Sequence, residues 1–134
     1  MAQPVVRVLL VDDQRAYREG LRATLSIALD IEVVGEASDG GSARALAVRL
    51  APDVVLMDLC MPNGDGVEAT RHIVREVPGC RVLALTTFEQ DELVFGALRA
   101  GACAYLLKGG DTETLIRTIR GTNGGSAVSA PVTG

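Results

Sequence analysis

Five residues of this chain have types and placements suited to phosphoryl chemistry: Asp12, Asp13, Asp58, Thr86 and Lys108. Each stands where a short apolar run stops. Val8-Leu9-Leu10-Val11 ends on Asp12-Asp13 and Val54-Val55-Leu56-Met57 on Asp58, while Val82-Leu83-Ala84-Leu85 ends on Thr86 and Tyr105-Leu106-Leu107 on Lys108. Three carboxylates brought to one place repel one another unless a cation intervenes or one of them takes up a proton. Mg²⁺ suits such a cleft, because it prefers hard oxygen ligands and is commonly held by one or two carboxylates and several waters. Together with the Lys108 ammonium it would neutralise all three acids. Asp58 is then the candidate nucleophile, since a carboxylate can form an aspartyl phosphate when a metal screens the incoming charge. The Thr86 hydroxyl can donate to one phosphoryl oxygen, and Lys108 can pair with another.

Taken singly, each residue has a plainer reading. Asp13 suits a helix cap, Thr86 an ordinary strand end, and Lys108 a solvated side chain. The stretch Met61-Pro62-Asn63-Gly64-Asp65-Gly66 reads as a turn with Gly64 or Gly66 at positive φ. Recurrence at four of the five strand ends is what favours the chemical reading.

The elements that must position these groups alternate strand and helix five times. Strands are expected at Val5–Val11, Ile31–Ala37, Val54–Met57, Arg81–Leu85 and Ala104–Leu107. Helices are expected at Arg15–Ala28, Gly40–Leu50, Gly66–Glu76, Asp91–Ala100 and Asp111–Gly121. Short connections between such elements imply right-handed crossovers and a parallel sheet covered on both faces. The expected fold is α/β, a flavodoxin-like (βα)5 doubly wound sandwich of three layers with strand order 2-1-3-4-5. That order puts its switch point between the first and third strands, which carry Asp12-Asp13 and Asp58, and ligands bind outside the carboxyl ends of such strands. Residues 1–122 are expected to form the domain. Residues 123–134 lie in an uncharged Gly/Ser/Thr-rich stretch and read as a linker toward a further domain.

Composition narrows the function classes. The chain has 134 residues, 48% of them hydrophobic but only 3% aromatic, so an aliphatic core is expected. Net charge is −4 and no basic run occurs, which argues against nucleic-acid contact by this segment. No apolar stretch approaches the ~18 residues of a membrane span, and no secretory signal opens the chain, so a cytoplasmic location is expected. Cys60, Cys80 and Cys103 fit no metal spacing and read as reduced thiols.

Val11-Asp12-Asp13, Met57-Asp58-Leu59-Cys60-Met61-Pro62 with Gly64 and Gly66, Leu85-Thr86-Thr87 and Ala104-Tyr105-Leu106-Leu107-Lys108 together resemble the receiver domain of two-component response regulators. Leu85-Thr86-Thr87-Phe88 and Leu98-Arg99-Ala100-Gly101-Ala102 resemble its NarL/LuxR-type branch, whose members usually carry a C-terminal helix-turn-helix domain. The resemblance implies that Asp58 accepts phosphate from a sensor histidine kinase. It implies that Asp13, Asp58 and the Cys60 backbone carbonyl ligate Mg²⁺, with Asp12 acting through a metal-bound water. It also implies a switch in which Thr86 moves toward the phosphoryl group and Tyr105 turns inward, and a homodimer formed on phosphorylation. Transcription would be controlled through the further domain; the receiver itself would only catalyse its own phosphorylation and dephosphorylation.

Two features stand apart from that pattern. Gly109-Gly110 follows Lys108 where Pro or Asp is common in the family, which loosens the backbone beside the ammonium. On the fourth helix Leu93, Val94 and Phe95 span more than one face, so Val94 or Phe95 is expected to remain partly exposed as a dimer or output-domain contact. His72, alone on its helix, is expected at the surface. The alternatives are a haloacid-dehalogenase-type phosphatase, a flavodoxin-like FMN carrier and a non-phosphorylated structural receiver. The first needs Asp-x-Asp after the first strand, but Gln14 stands at the second position; in the second, Asp12-Asp13 would repel the phosphate.

Overall fold

The structure, a computed structural model, describes residues 4–62, 65–87 and 91–123. Its elements run β1 Val6–Val11, α1 Arg15–Leu25, β2 Ile31–Ala37, α2 Gly40–Leu50, β3 Val54–Asp58, α3 Asp65–Glu76, β4 Arg81–Thr86, α4 Asp91–Ala100, β5 Ala104–Leu107 and α5 Thr112–Asn123. The five strands form one sheet in the order β2-β1-β3-β4-β5, and every pair is parallel. This is the expected flavodoxin-like, doubly wound arrangement. The linker at 123–134 falls almost wholly outside the described residues, as do Gly64 and Phe88.

Strand alternation divides the core in two. Leu9, Val11, Val55, Met57, Val82 and Ala84 face one side, where Ala43 and Ala47 of α2, Ala69 and Ile73 of α3, and Val94 and Ala97 of α4 cover them. Val6, Val8, Leu10, Val54, Leu56, Leu83 and Leu85 face the other side, beneath Leu21 and Leu25 of α1 and Ile119 of α5. All five residues of β3 are buried, as suits a central strand covered on both faces.

The element ends differ from expectation for local reasons. The first helix stops at Leu25, because Ile27 and Ala28 donate to carbonyls only three residues back, those of Thr24 and Leu25, and the chain tightens; Ala28 still packs in the core. Asp111 caps α5 from outside, its Oδ2 accepting from the Thr114 N–H at 3.0 Å and the Thr114 hydroxyl at 2.9 Å. Gly66 does not sit at positive φ; it lies within α3. It is needed there because a Cβ would fall 2.4 Å from the Asp58 carbonyl oxygen. A glycine thus lets the start of α3 press directly against the backbone of Asp58.

Candidate functional site

Strand register sets the site out as a staircase. Val11 is level with Met57, so Asp12 and Asp58 follow side by side on β1 and β3. Asp58 is level with Leu85, and Thr86 lies one residue beyond it. Thr86 is level with Leu107, and Lys108 lies one residue beyond that, its N–H donating to the Thr86 carbonyl at 2.7 Å. Each step moves one residue further along the chain, so the acids, the hydroxyl and the ammonium ring one edge of the sheet.

Asp12, Asp13 and Asp58 each bring a carboxylate oxygen within 4.8 Å of the others. Asp12 and Asp58 are buried and Asp13 is exposed. Asp12 Oδ1 accepts from the Gln14 N–H at 2.8 Å, which fixes its orientation. Its Oδ2 forms an ion pair with Lys108 Nζ at 2.9 Å. The same ammonium stands 3.5 Å from Asp58 Oδ1, which also accepts from the Cys60 N–H at 2.8 Å. Asp58 Oδ2 is buried with no hydrogen-bond partner.

That orphaned oxygen is costly unless a further group completes the site, and a single ammonium cannot neutralise three acids. Hard oxygen donors, excess negative charge and an unpartnered buried carboxylate oxygen all fit a divalent cation such as Mg²⁺. Burial, reinforced by the charge on Asp12, raises the Asp58 carboxyl above the usual aspartate range against the opposing pull of the Cys60 N–H and Lys108. Burial alone would lower the Lys108 ammonium. The contact with Asp12 and the charges of Asp58 and Asp12 outweigh it, so Lys108 lies above the usual lysine range and is firmly cationic at neutral pH.

The remaining expected residues are less closely engaged. The buried Thr86 hydroxyl donates to the Thr87 carbonyl at 3.2 Å and makes no hydrogen bond to the acids. Tyr105 is half-buried against the α2/α3/α4 side of the core. Asp13 does not cap α1: the N-cap is Gln14, and it makes no side-chain capping bond. The acid's carboxylate is therefore left to the cluster. Val94 is only 8% exposed, because it turns into the core with Ala97; of the two it is Phe95, at 56%, that α4 shows to solvent. His72 lies beside Glu68 on the outer part of α3. Cys60 is half-buried, with its Sγ 3.7 Å from the Thr87 hydroxyl. Burial pushes the Cys80 thiol up to about 12 and raises Cys103 as well, so both act as small apolar side chains.

Three residues not singled out for the site also shape it. Arg18 donates from Nη1 to the Asp12 carbonyl at 2.6 Å and from Nε to Glu36 Oε1 at 2.9 Å, tying the end of β1 to β2. Arg22 holds the other Glu36 oxygen at 2.7 Å. The Tyr17 ring lies under Lys108, with Nζ 4.5 Å from its centroid. No helix among the described residues is long and apolar enough to cross a membrane.

Comparison with known proteins agrees with this geometry. Residues 8–120 match the family model described as the response regulator receiver domain. The chain is 46% identical over 121 residues to the transcriptional regulatory protein LiaR of Bacillus subtilis, covering 90% of this chain and 57% of that one. It is 44% identical over 126 residues to the response regulator protein VraR of Staphylococcus aureus, covering 94% and 60%. The chain therefore spans only about three-fifths of these curated relatives. A crystal structure of a two-component response regulator of the LuxR family from Aurantimonas sp. SI85-9A1 superposes with a TM-score of 0.85 at 35% identity, covering 95% of this chain and 89% of that one. A staircase of acids, hydroxyl and lysine on a 2-1-3-4-5 sheet, together with these matches, makes the chain a member of the response regulator receiver domain family, of the LuxR-type branch.

Proposed function

We propose that this domain is a phosphorylation-driven signalling switch whose phosphoacceptor is Asp58. The observation that carries the reading is Asp58 Oδ2, a buried carboxylate oxygen without a partner in a cluster of three acids and one lysine. An Asp58 carboxylate oxygen attacks phosphorus on the phosphohistidine of a sensor histidine kinase. The new O–P bond forms as the N–P bond breaks, and the electron pair stays on the imidazole nitrogen. Asp13, Asp58 and the Cys60 carbonyl would hold Mg²⁺, with Asp12 acting through a water; the ion would supply charge neutralisation for the transferring group. Lys108 pairs with one phosphoryl oxygen and helps offset the repulsion between phosphate and acids. Thr86 exchanges its contact with the Thr87 carbonyl for a phosphoryl oxygen, and Tyr105 follows inward.

The downstream readings rest on the relatives. LiaR is described as a transcriptional regulatory protein, and its length leaves room for an output domain beyond this chain. Residues 1–122 would be the receiver and 123–134 the linker to a helix-turn-helix domain that contacts DNA, while this acidic segment does not. Phosphorylation would favour a homodimer, with exposed Phe95 as a contact. The location would be cytoplasmic, and the only catalysis would be the domain's own phosphorylation and dephosphorylation.

The test is intact-mass measurement after incubation with Mg²⁺ and acetyl phosphate. Wild type is expected to gain one phosphoryl group and Asp58→Asn none. An adduct that persists on Asp58→Asn overturns the phosphoacceptor assignment, and no adduct on either overturns the switch.

A further inference from the structure

Lys108 works only if its ammonium stays between Asp12 and Asp58, yet the chain beside it has little to hold it. Gly109 adopts φ +75, and a Cβ built there would meet nothing within 4 Å, so the space around this position is open. Its backbone is anchored at Lys108, through the Thr86 carbonyl at 2.7 Å, and at Gly110, whose N–H reaches back to Leu107 at 3.2 Å. Between those anchors, the side chain that meets the segment among the described hydrogen bonds is Tyr17. Its hydroxyl accepts from the Gly109 N–H at 3.4 Å, while its ring faces Lys108 Nζ at 4.5 Å from the centroid. Tyr17 is half-buried on the first turn of α1 and forms part of the wall of a cavity of about 610 Å³ between α1, β5 and the start of α5.

We infer that Tyr17 is a positioning residue for phosphoryl transfer: its ring holds the Lys108 ammonium over the acid pair, a task that the Gly109-Gly110 backbone leaves undone. The cation is attracted by the ring's negative face and keeps its charge, whereas an aliphatic side chain of equal volume would leave one side of the ammonium against apolar surface. The hydroxyl contact to Gly109 is long and secondary. Tyr17 touches no reacting atom and acts through Lys108.

The inference rests on Asp58 being the phosphoacceptor, and the experiment separates the two. Acetyl phosphate and Mg²⁺ are supplied to wild type, Tyr17→Phe and Tyr17→Met; in the reaction the Asp58 O–P bond forms, and acetate leaves with the electrons of its P–O bond. Tyr17→Met is expected to slow phosphorylation about tenfold, while Tyr17→Phe keeps the rate within about twofold. Mg²⁺ half-saturation should stay within about twofold in both, since Lys108 is not a metal ligand. In the metal-free proteins, the Lys108 ε-methylene resonances should be shifted upfield by the ring in wild type and Tyr17→Phe, and return to ordinary positions in Tyr17→Met. If Tyr17→Met does not fold, Tyr17→Leu takes its place. An adduct on wild type with an unchanged rate in the non-aromatic variant overturns this inference alone. So does a parallel loss of rate and Mg²⁺ affinity, which would mean that the acid cluster had collapsed. Tyr17→Phe as slow as Tyr17→Met overturns the role of the ring. No adduct on wild type overturns the phosphoacceptor reading and this inference with it.

Discussion

Replacing Asp58 by Asn should make the metal-free domain more stable. Asp58 faces the Asp12 and Asp13 carboxylates within 4.8 Å and one ammonium at 3.5 Å. At an effective dielectric of about 20, each repulsion is worth roughly 3–4 kcal/mol and the attraction roughly 5. The two repulsions therefore exceed the attraction by about 2 kcal/mol, and the exposure of Asp13 trims that to about 1–2 kcal/mol. Asparagine keeps an oxygen for the Cys60 N–H and turns its amide hydrogens toward the remaining acids, so the orphaned Oδ2 is replaced by a donor. For a domain of this size, about 1–2 kcal/mol should raise Tm by roughly 3–10 °C. The assay is thermal and urea unfolding in EDTA, repeated in millimolar Mg²⁺. Wild type should gain stability with Mg²⁺ and close the gap, while Asp58→Asn should respond weakly. An Asp58→Asn domain less stable than wild type in EDTA would refute the reasoning, because it would mean that the acid cluster is not under electrostatic load.

Two further perturbations probe the supports of the site. Hydrogen bonds from Arg22 and then Arg18 hold the Glu36 carboxyl below the usual glutamate range, so its contribution to stability is complete above pH ~4.5 and is lost as pH falls through the depressed folded value. Glu36→Gln should therefore cost about 0.5–1 kcal/mol at pH 7, and denaturant midpoints should show the gap to wild type closing below pH ~4.5; a gap that widens in acid would refute it. Gly66→Ala places a methyl 2.4 Å from the Asp58 carbonyl oxygen, so α3 must back away. It should cost about 1–3 kcal/mol in urea unfolding and slow phosphorylation of Asp58; an unchanged midpoint would show that the close approach is unimportant.

Legibility in the sequence followed how local each constraint is. Strand ends at Asp12, Asp58, Thr86 and Lys108 were readable because an apolar run and the polar residue that stops it are neighbours in the chain. Short crossovers of fixed hand permit the order 2-1-3-4-5 without dictating it, so the order is an assumption that the sheet bears out. Val94 and Phe95 could not be told apart, because a run of three apolar residues fills more than one face and only the angle of α4 on the sheet decides which turns in. The need for Gly66 was read as turn geometry, although it comes from a strand backbone eight residues earlier. Tyr17 gives no local signal of its role; its contact with Lys108 spans 91 residues and exists only once α1 lies beside the end of β5. The glycines after Lys108 looked like looseness, yet Gly109 takes a left-handed turn that the strand end uses.

The strand edges set a rule for self-association. β5 has four residues and ends at once in the Gly109 turn, which leaves little backbone to template another chain. β2, the other edge, carries the exposed charge of Glu32 among its seven residues. Extension of the sheet from one molecule into the next is thus discouraged at both borders. Pairing of copies through the sheet is therefore disfavoured relative to pairing through helix side chains.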